Sequence, residues 1–139
     1  EMGLEHDKSE GRMQFQVQTD CYRDPSGDSD LLLVIELGED AEFFRICAPQ
    51  ALNARGEHEG ALLRACLGVQ MRVPLVQFGF DKSDGEVRPA IEIPLGDAGL
   101  TTTQLTRCIS TLHQVLDQFY PVLHRAASEG IADFREGPQ

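Results

Sequence analysis

The C-terminal part of the chain holds the pattern that most constrains the fold. Between residues 105 and 119, apolar side chains recur at helical spacing, so that they share one side of the helix they predict. These side chains are Leu105, Cys108, Ile109, Leu112, Val115, Leu116 and Phe119. Thr101 and Gln104 precede them at the spacing of a capping box, which is typical of a helix start. So long an apolar stripe requires a second apolar surface to cover.

A proline beyond this stripe predicts where the helix stops. Pro121 would cost about 3 kcal/mol in a helix interior, because it lacks an N–H and its ring clashes with the preceding turn. The sequence therefore predicts a kink or an end near Tyr120, with Val122 and Leu123 continuing for one more turn beyond a kink.

Short alternating or apolar segments predict the sheet that this helix covers. Five segments are typical of strands, and their residues are 13–19, 31–37, 42–48, 75–80 and 86–95. Apolar residues at helical spacing predict another helix over 57–71, and Pro74 ends it. Pro89 predicts an edge or a bulge in the last strand, because it cannot donate to a ladder.

The order of these elements, β-β-β-α-β-β-α, favours the α+β class. Hairpin-rich strands predict an antiparallel sheet of about five strands, with the helices packed on one face. The 139 residues are enough for one domain. We expect a flexible N-terminal segment over 1–12, a single domain over 13–127 and a polar C-terminal tail over 128–139.

The charge balance argues against several classes of partner. Twelve basic and twenty-three acidic side chains give a net charge of −11, which repels phosphate backbones and anionic lipid. We therefore expect neither a nucleic acid nor a membrane as partner. No apolar run approaches the ~20 residues of a membrane span. The four cysteines form no CxxC pair, which favours reduced thiols and a cytoplasmic location.

Motifs that carry chemistry are missing, so the sequence predicts no catalytic residue, cofactor or metal. It contains no HExxH, GxSxG, GxGxxG or P-loop pattern. His113 and Asp117 stand four residues apart on the last predicted helix, which suits either an oriented imidazole or a solvated pair. Asp24, Asp28 and Asp30 crowd one loop over 24–30, where turn chemistry or a bound calcium ion explains them, although the EF-hand glycine and glutamate are missing.

The central strand is apolar on both of its faces. If Leu31 and Leu33 face the helices, then Leu32 and Val34 face away from them. On the neighbouring strand, Phe43 and Cys47 join them in one register, and Phe44 and Ile46 in the other. Exposed apolar area of this kind marks a contact site, unless a missing segment or the loops cover it. Leu32, Val34, Phe43 and Cys47 are therefore the predicted partner-binding residues.

The chain resembles the YbjN-like family, whose fold is that of type III secretion chaperones. The resemblance is carried by residues 76–88 and 91–95, Asp97, and then Leu100-Thr101, Gln104-Leu105, Arg107-Cys108 and Tyr120-Pro121. It covers roughly residues 15–123, and its hairpin-plus-helix part is the most specific. The chain departs from the pattern at its start. Such folds usually begin with a helix, whereas the segment over residues 1–12 is short and polar.

The resemblance implies a sheet with helices packed on it, often a homodimer, and either binding of partner polypeptides or a regulatory role in bacteria. It implies no catalytic residue. Three functions remain open at this point: a non-catalytic, chaperone-like or adaptor-like protein-binding module, a homodimeric accessory domain of a longer protein, and an enzyme or ligand-binding domain without a recognisable motif.

Overall fold

The computed structural model of the chain describes residues 11–38, 42–97 and 99–134, and it shows an α+β fold. Its strands are β1 (Arg12–Gln18), β2 (Asp30–Leu37), β3 (Phe43–Cys47), β4 (Leu52–Asn53), β5 (Gln77–Asp81) and β6 (Glu86–Pro94). The helices are α1 (Glu59–Arg72) and α2 (Thr102–Glu129). The predicted fold class is confirmed, with one short strand, β4, that the sequence pattern did not reveal.

The six strands form one antiparallel sheet. Its order is β1-β2-β3-β6-β4, and β5 pairs with the opposite edge of β6. Pro89 lies where β6 passes from its pairing with β4 to its pairing with β3. The Pro89 carbonyl accepts the Ala48 N–H at 3.0 Å. A backbone N–H at residue 89 would point to the same side of β6, at the gap between the residues that pair with β4 and those that pair with β3. The proline therefore breaks no ladder hydrogen bond.

Both helices cover the same face of the sheet. The main apolar core joins alternate strand residues to the buried stripes of α1 and α2, and it includes Phe15, Leu33, Ile46, Ile91, Leu62 and Leu116. The capping box predicted at Thr101 is confirmed: the Thr101 Oγ1 accepts the Gln104 N–H, and the Gln104 Oε1 accepts the Thr101 N–H. This long helix thus finds the apolar surface that its stripe requires.

Of the two alternatives predicted near Tyr120, a kink or an end, the end is wrong, because the helix continues through Pro121 to Glu129. Pro121 lies on the exposed side of the helix, so the ring meets solvent rather than the core. The helix residues beyond it include Val122, Leu123 and Ala126, all of which are buried in the core. Their burial offsets the hydrogen bond that the proline removes. Neither helix of the described residues is both long and apolar enough for a bilayer crossing.

The C-terminal boundary lies later than the sequence suggested. α2 occupies the first two positions of the predicted tail, and Ala132 and Phe134 then pack against the core. The Phe134 ring lies 6.4 Å from that of Phe119, and the Arg72 guanidinium lies 4.1 Å from its centroid. At the other terminus, β1 begins at Arg12, while residues 1–10 of the predicted N-terminal segment lie outside the described residues.

Gly68 in α1 makes room for this C-terminal segment. A Cβ atom at Gly68 would lie 2.4 Å from Cε2 of Phe134, so an alanine there must displace the ring. In a helix interior, Gly→Ala otherwise stabilises by about 1 kcal/mol. We expect Gly68→Ala to raise the free energy of unfolding by about 1 kcal/mol in a Phe134→Ala background and to leave it unchanged or lower in the wild type. Urea unfolding of the four proteins measures this coupling, and equal effects in both backgrounds would contradict the contact.

Candidate interaction surface

His113 and Asp117, the pair singled out on the last predicted helix, contact the loop between β1 and β2. The His113 Nε2 donates to the carbonyl of Gln18 at 2.9 Å. The Asp117 carboxylate accepts backbone N–H groups of three successive loop residues, at 3.1 Å from Asp20, 2.6 Å from Cys21 and 2.8 Å from Tyr22. Both side chains are therefore used by the fold.

The backbone bonds to Asp117 predict a dependence of stability on pH. Burial acts to raise the pKa of this carboxyl, but the N–H groups of Tyr22, Cys21 and Asp20, with the charge of His113, outweigh it and lower the pKa. The ionised Asp117 side chain therefore contributes to the free energy of unfolding above its pKa in the unfolded chain, ~3.9. This contribution is lost as the pH falls through the lower pKa that Asp117 has in the folded protein. We expect Asp117→Asn to cost about 1 kcal/mol at neutral pH and progressively less as the pH falls below ~3.9. Urea unfolding across this range measures it; a cost independent of pH would contradict the account.

The acidic loop over 24–30 shows turn chemistry. The Asp24 Oδ1 accepts the Ser26 N–H at 2.9 Å and the Asp28 N–H at 2.8 Å, and the Asp30 carboxylate accepts the side-chain amide of Gln18. Each of the three residues singled out in the sequence is thus engaged in local backbone or strand contacts.

A second acidic group lies in the β5–β6 hairpin. Asp81, Asp84 and Glu86 bring one carboxylate oxygen each to within 4.8 Å of one another. Each carboxylate already has a partner in the fold: Asp81 accepts from Ser83, Asp84 accepts the Glu86 N–H, and buried Glu86 holds Arg88 at 2.8 Å. Hydrogen bonds from Ser83 lower the pKa of Asp81, so it is ionised at neutral pH.

Three of the four thiols are poorly suited to nucleophilic chemistry, because they are buried. Burial raises the pKa of Cys66 to about 12, and burial also raises the pKa values of Cys47 and Cys108. These three thiols are therefore protonated at neutral pH, and the thiolate is the reactive form of cysteine. All four cysteines of the chain are free.

The face of the sheet opposite the helices, here called the far face, carries all four predicted partner-binding residues. The register pairs Val34 with Cys47, which selects Phe43 and Cys47, rather than Phe44 and Ile46, for this face. Leu32 lies beside Gln16 of β1 and is half-buried. However, Val34 and Cys47 are each only 2% exposed, so they offer almost no surface to a partner.

A row of charged residues divides the far face. Glu36, Arg45 and Glu92 lie opposite one another on β2, β3 and β6. The Arg45 guanidinium lies 3.6 Å from Glu36 and 3.2 Å from Glu92. This row separates exposed Phe43 from Val34 and Cys47, because Arg45 stands between them on β3. The far face therefore contains no continuous apolar patch among the predicted residues.

A larger apolar surface lies between α1 and β5. A groove of about 190 Å³ is lined by Leu63, Cys66, Leu67, Gln70, Phe78, Gly79, Phe80 and Val87. Four large apolar side chains of the segment from α1 to β5 are open to solvent, and we call them the α1–β5 patch: Leu67 (61% exposed) and Phe80 (37%), which line the groove, Met71 (85%) on α1, and Leu75 (55%) between α1 and β5. Such a concentration of exposed apolar side chains marks an interaction site. The sequence reasoning missed it because Leu67 and Met71 fall inside an otherwise ordinary helix pattern.

Leu75 also adopts a strained backbone conformation. Its φ is +71°, and the N–H of Val76 donates to the carbonyl of Pro74 across it at 2.8 Å, forming a tight three-residue turn. A left-handed conformation costs a leucine about 1 kcal/mol or more, whereas glycine adopts it freely. An exposed, strained leucine contributes nothing to the core, which is consistent with a contact role.

Replacing Leu75 with glycine tests this strain. We expect Leu75→Gly to raise the free energy of unfolding by about 1 kcal/mol, because the turn is kept and the strain is removed. Thermal or urea unfolding measures the change, with Leu75→Ala as the control that keeps a Cβ atom. A lower stability for Leu75→Gly than for Leu75→Ala would contradict this interpretation.

The charge around the groove differs from that of the whole chain. Residues 60–80 include no Asp or Glu and two arginines, Arg64 and Arg72, in a chain of net charge −11. The adjoining β5–β6 turn carries Asp81 and Asp84 against Lys82. The Arg72 guanidinium lies over the Phe134 ring, and neither arginine is among the residues that line the groove. Comparisons of the chain with family models, with curated proteins and with solved structures found no match.

Proposed function

We propose that this chain is a non-catalytic protein-binding module, chaperone-like or adaptor-like, that engages a partner polypeptide through the α1–β5 patch. The observation that carries the proposal is the exposure of Leu67 and Phe80, which line one groove, together with that of Met71 and Leu75 in the same helix–turn–strand segment. Burial of apolar area is the main favourable term in protein association, at about 25 cal/mol per Å² before the costs of binding are subtracted.

The state of the polar groups supports a binding role over a catalytic one. His113 and Asp117 are engaged with the β1–β2 loop, and the buried thiols have raised pKa values. The groove is lined by apolar side chains and by Gln70, whose amide oxygen already accepts a backbone N–H. A catalytic site instead needs converging titratable groups with a free reactive atom.

The resemblance to the YbjN-like family, with its type III secretion chaperone-like fold, is in keeping with this proposal. It would place the protein in the bacterial cytoplasm, in an export-related or regulatory role. The free thiols suit that compartment.

A homodimer is the second candidate, and the open edge of β5 favours it. In a twofold antiparallel arrangement, the β5 strands of two copies would pair with each other. The exposed edge of β5, which pairs with β6 alone among the described strands, would then be covered. Sedimentation velocity distinguishes this candidate, since Leu67→Asp would convert a dimer into a monomer.

Peptide selection tests the proposed function. Random twelve-residue peptides displayed on phage are selected against the wild type and then counter-selected against Leu67→Asp. The proposal predicts enriched peptides that bind the wild type and lose binding to the variant. Enriched peptides that bind both proteins equally, or no enrichment over an unrelated acidic protein, would contradict it.

A further inference from the structure

The chain beyond α2 lies along α1 as an extended segment, residues 130–134, here called the strap. At its start, Gly130 has a left-handed backbone (φ +75°), and a Cβ atom there would lie 2.6 Å from Nδ1 of His58, the residue that precedes α1. At its end, the Phe134 ring lies against Gly68. The helix rises about 15 Å between His58 and Gly68, and an extended chain covers about 13 Å between Gly130 and Phe134. The strap therefore runs beside α1, in the same direction and nearly fully extended.

Phe134 fills a socket that is formed by Gly68, Arg72 and Phe119. Its ring occupies the space that a Cβ atom at Gly68 would take. The Arg72 guanidinium lies 4.1 Å from the centroid of this ring, and its Nη1 donates to the Gly68 carbonyl at 3.0 Å, which holds the cation in place. The Phe119 ring lies 6.4 Å away at an interplanar angle of 58°. These contacts suit a flat aromatic side chain better than an aliphatic one.

The strap is held less firmly than the core. Residues 131–134 belong to no helix or strand, and Ile131 is 37% exposed. Ala132 and Phe134 are only partly buried where they pack against the core. Segments of this kind open at a lower free energy than core elements, and Gly130 allows the backbone to change direction at the end of α2. The strap can therefore leave the socket while both helices and the sheet stay folded.

The socket adjoins the α1–β5 patch. Gly68 and Arg72 stand four residues apart and form one row on α1, and Leu67 and Met71 form the next row. Leu67 is 61% exposed and Met71 is 85% exposed, so the open row lies directly beside the socket. A polypeptide bound over the patch therefore meets the edge of the socket.

From these contacts we infer that Phe134 is an internal ligand of the socket, and that a partner polypeptide bound at the α1–β5 patch inserts an aromatic side chain there in its place. This inference rests on the proposed function, to which it adds the chemistry of the partner and a control on its binding. The seated ring selects an aromatic partner residue, because an aliphatic side chain would lose the attraction to the Arg72 guanidinium. The strap lowers the apparent affinity for the partner, because only molecules with an open socket bind it.

Fluorescence anisotropy with a labelled copy of the strap tests the chemistry of the socket. The probe has the sequence of residues 128–136, Ser-Glu-Gly-Ile-Ala-Asp-Phe-Arg-Glu, and the control peptide has leucine in place of its phenylalanine. We expect the probe to bind the Phe134→Ala variant at least about tenfold more tightly than the wild type, because the chain's own ring no longer competes. On this variant the probe should bind about fivefold more tightly than the control peptide. Phe134→Leu, which keeps an apolar side chain beside the core, should show a smaller gain in the same direction.

The Gly68→Ala substitution closes the socket in the Phe134→Ala background. Its Cβ atom takes the place of the ring, while alanine favours the helix, so the double variant stays folded. We expect it to bind the probe at least about tenfold more weakly than Phe134→Ala does. Equal binding of the probe to the wild type and Phe134→Ala, equal binding of probe and control peptide, or unchanged binding to the double variant would each overturn the inference.

Peptides selected by phage display on the wild type separate an internal ligand from a side chain that only fills the core. We expect these peptides to contain an aromatic residue and to bind Phe134→Ala about tenfold more tightly than the wild type. Equal binding to both proteins would overturn this inference and leave the proposed function standing, whereas a selection without enrichment would contradict the proposed function itself. Sedimentation velocity gives a further check. A wild-type dimer that Phe134→Ala dissociates would overturn the inference, since the ring of a second copy would then fill the socket.

Discussion

Replacement of Tyr22 with alanine is expected to lower the free energy of unfolding by about 4 kcal/mol. The ring is 1% exposed, and it packs edge-on against Tyr120 of α2 with the centroids 5.3 Å apart. Its hydroxyl donates to the carbonyl of Ala51 at 2.7 Å, and its backbone N–H donates to Asp117. Removing the ring therefore leaves a cavity between a loop, the sheet and α2, and it leaves the Ala51 carbonyl unpaired.

The Tyr22→Phe variant serves as the matched control. It keeps the ring contact with Tyr120 and loses only the hydrogen bond to Ala51, so we expect a cost of about 1 kcal/mol. Urea unfolding followed by circular dichroism measures both variants. A cost below about 1 kcal/mol for Tyr22→Ala would show that the loop does not anchor the helix as described.

Introducing a carboxylate at Leu67 is expected to weaken partner binding at least about tenfold while leaving the fold intact. The side chain lines the groove and is 61% exposed, so an aspartate there meets water in the free protein and apolar surface in the complex. The free energy of unfolding should change by less than about 1 kcal/mol, as is usual for a substitution at an exposed position. Isothermal titration with a phage-selected peptide measures the affinity.

Leu37→Asp is the matched control for this variant, because Leu37 is also a substantially exposed leucine but lies at the end of β2, away from the groove. It should retain wild-type affinity. Leu32→Asp serves as the control for the far face and should also retain it. If Leu32→Asp abolished binding while Leu67→Asp did not, the interaction surface would be the one that the sequence predicted.

Much of the fold follows from local pattern in the sequence. The capping box at Thr101 and the apolar periods that predict the strands and helices are each visible within a few neighbouring residues. Pro121 was misread because the burial of Val122, Leu123 and Ala126 offsets its cost, and that burial depends on the sheet. Nothing local to Tyr22 indicates its role, because its anchors, Ala51 and Asp117, are distant in the sequence.

The interaction surface was harder to predict for a related reason. Alternation placed Leu32, Val34, Phe43 and Cys47 on one face correctly, but exposure depends on neighbours across the strands. The charged row through Arg45 joins three strands, and no single strand reveals it. The α1–β5 groove likewise arises from tertiary packing of a helix against an edge strand, and only the absence of acidic residues over 60–80 hinted at it.

Amide chemical-shift mapping of the labelled protein during titration with a phage-selected peptide tests the central claim most directly. We predict that the perturbed amides cluster in α1 and β5, around Leu67, Gln70, Phe78 and Phe80, while those of Leu32, Val34, Phe43 and Cys47 stay unchanged. Perturbation confined to these four far-face residues, with α1 and β5 unaffected, would contradict the account.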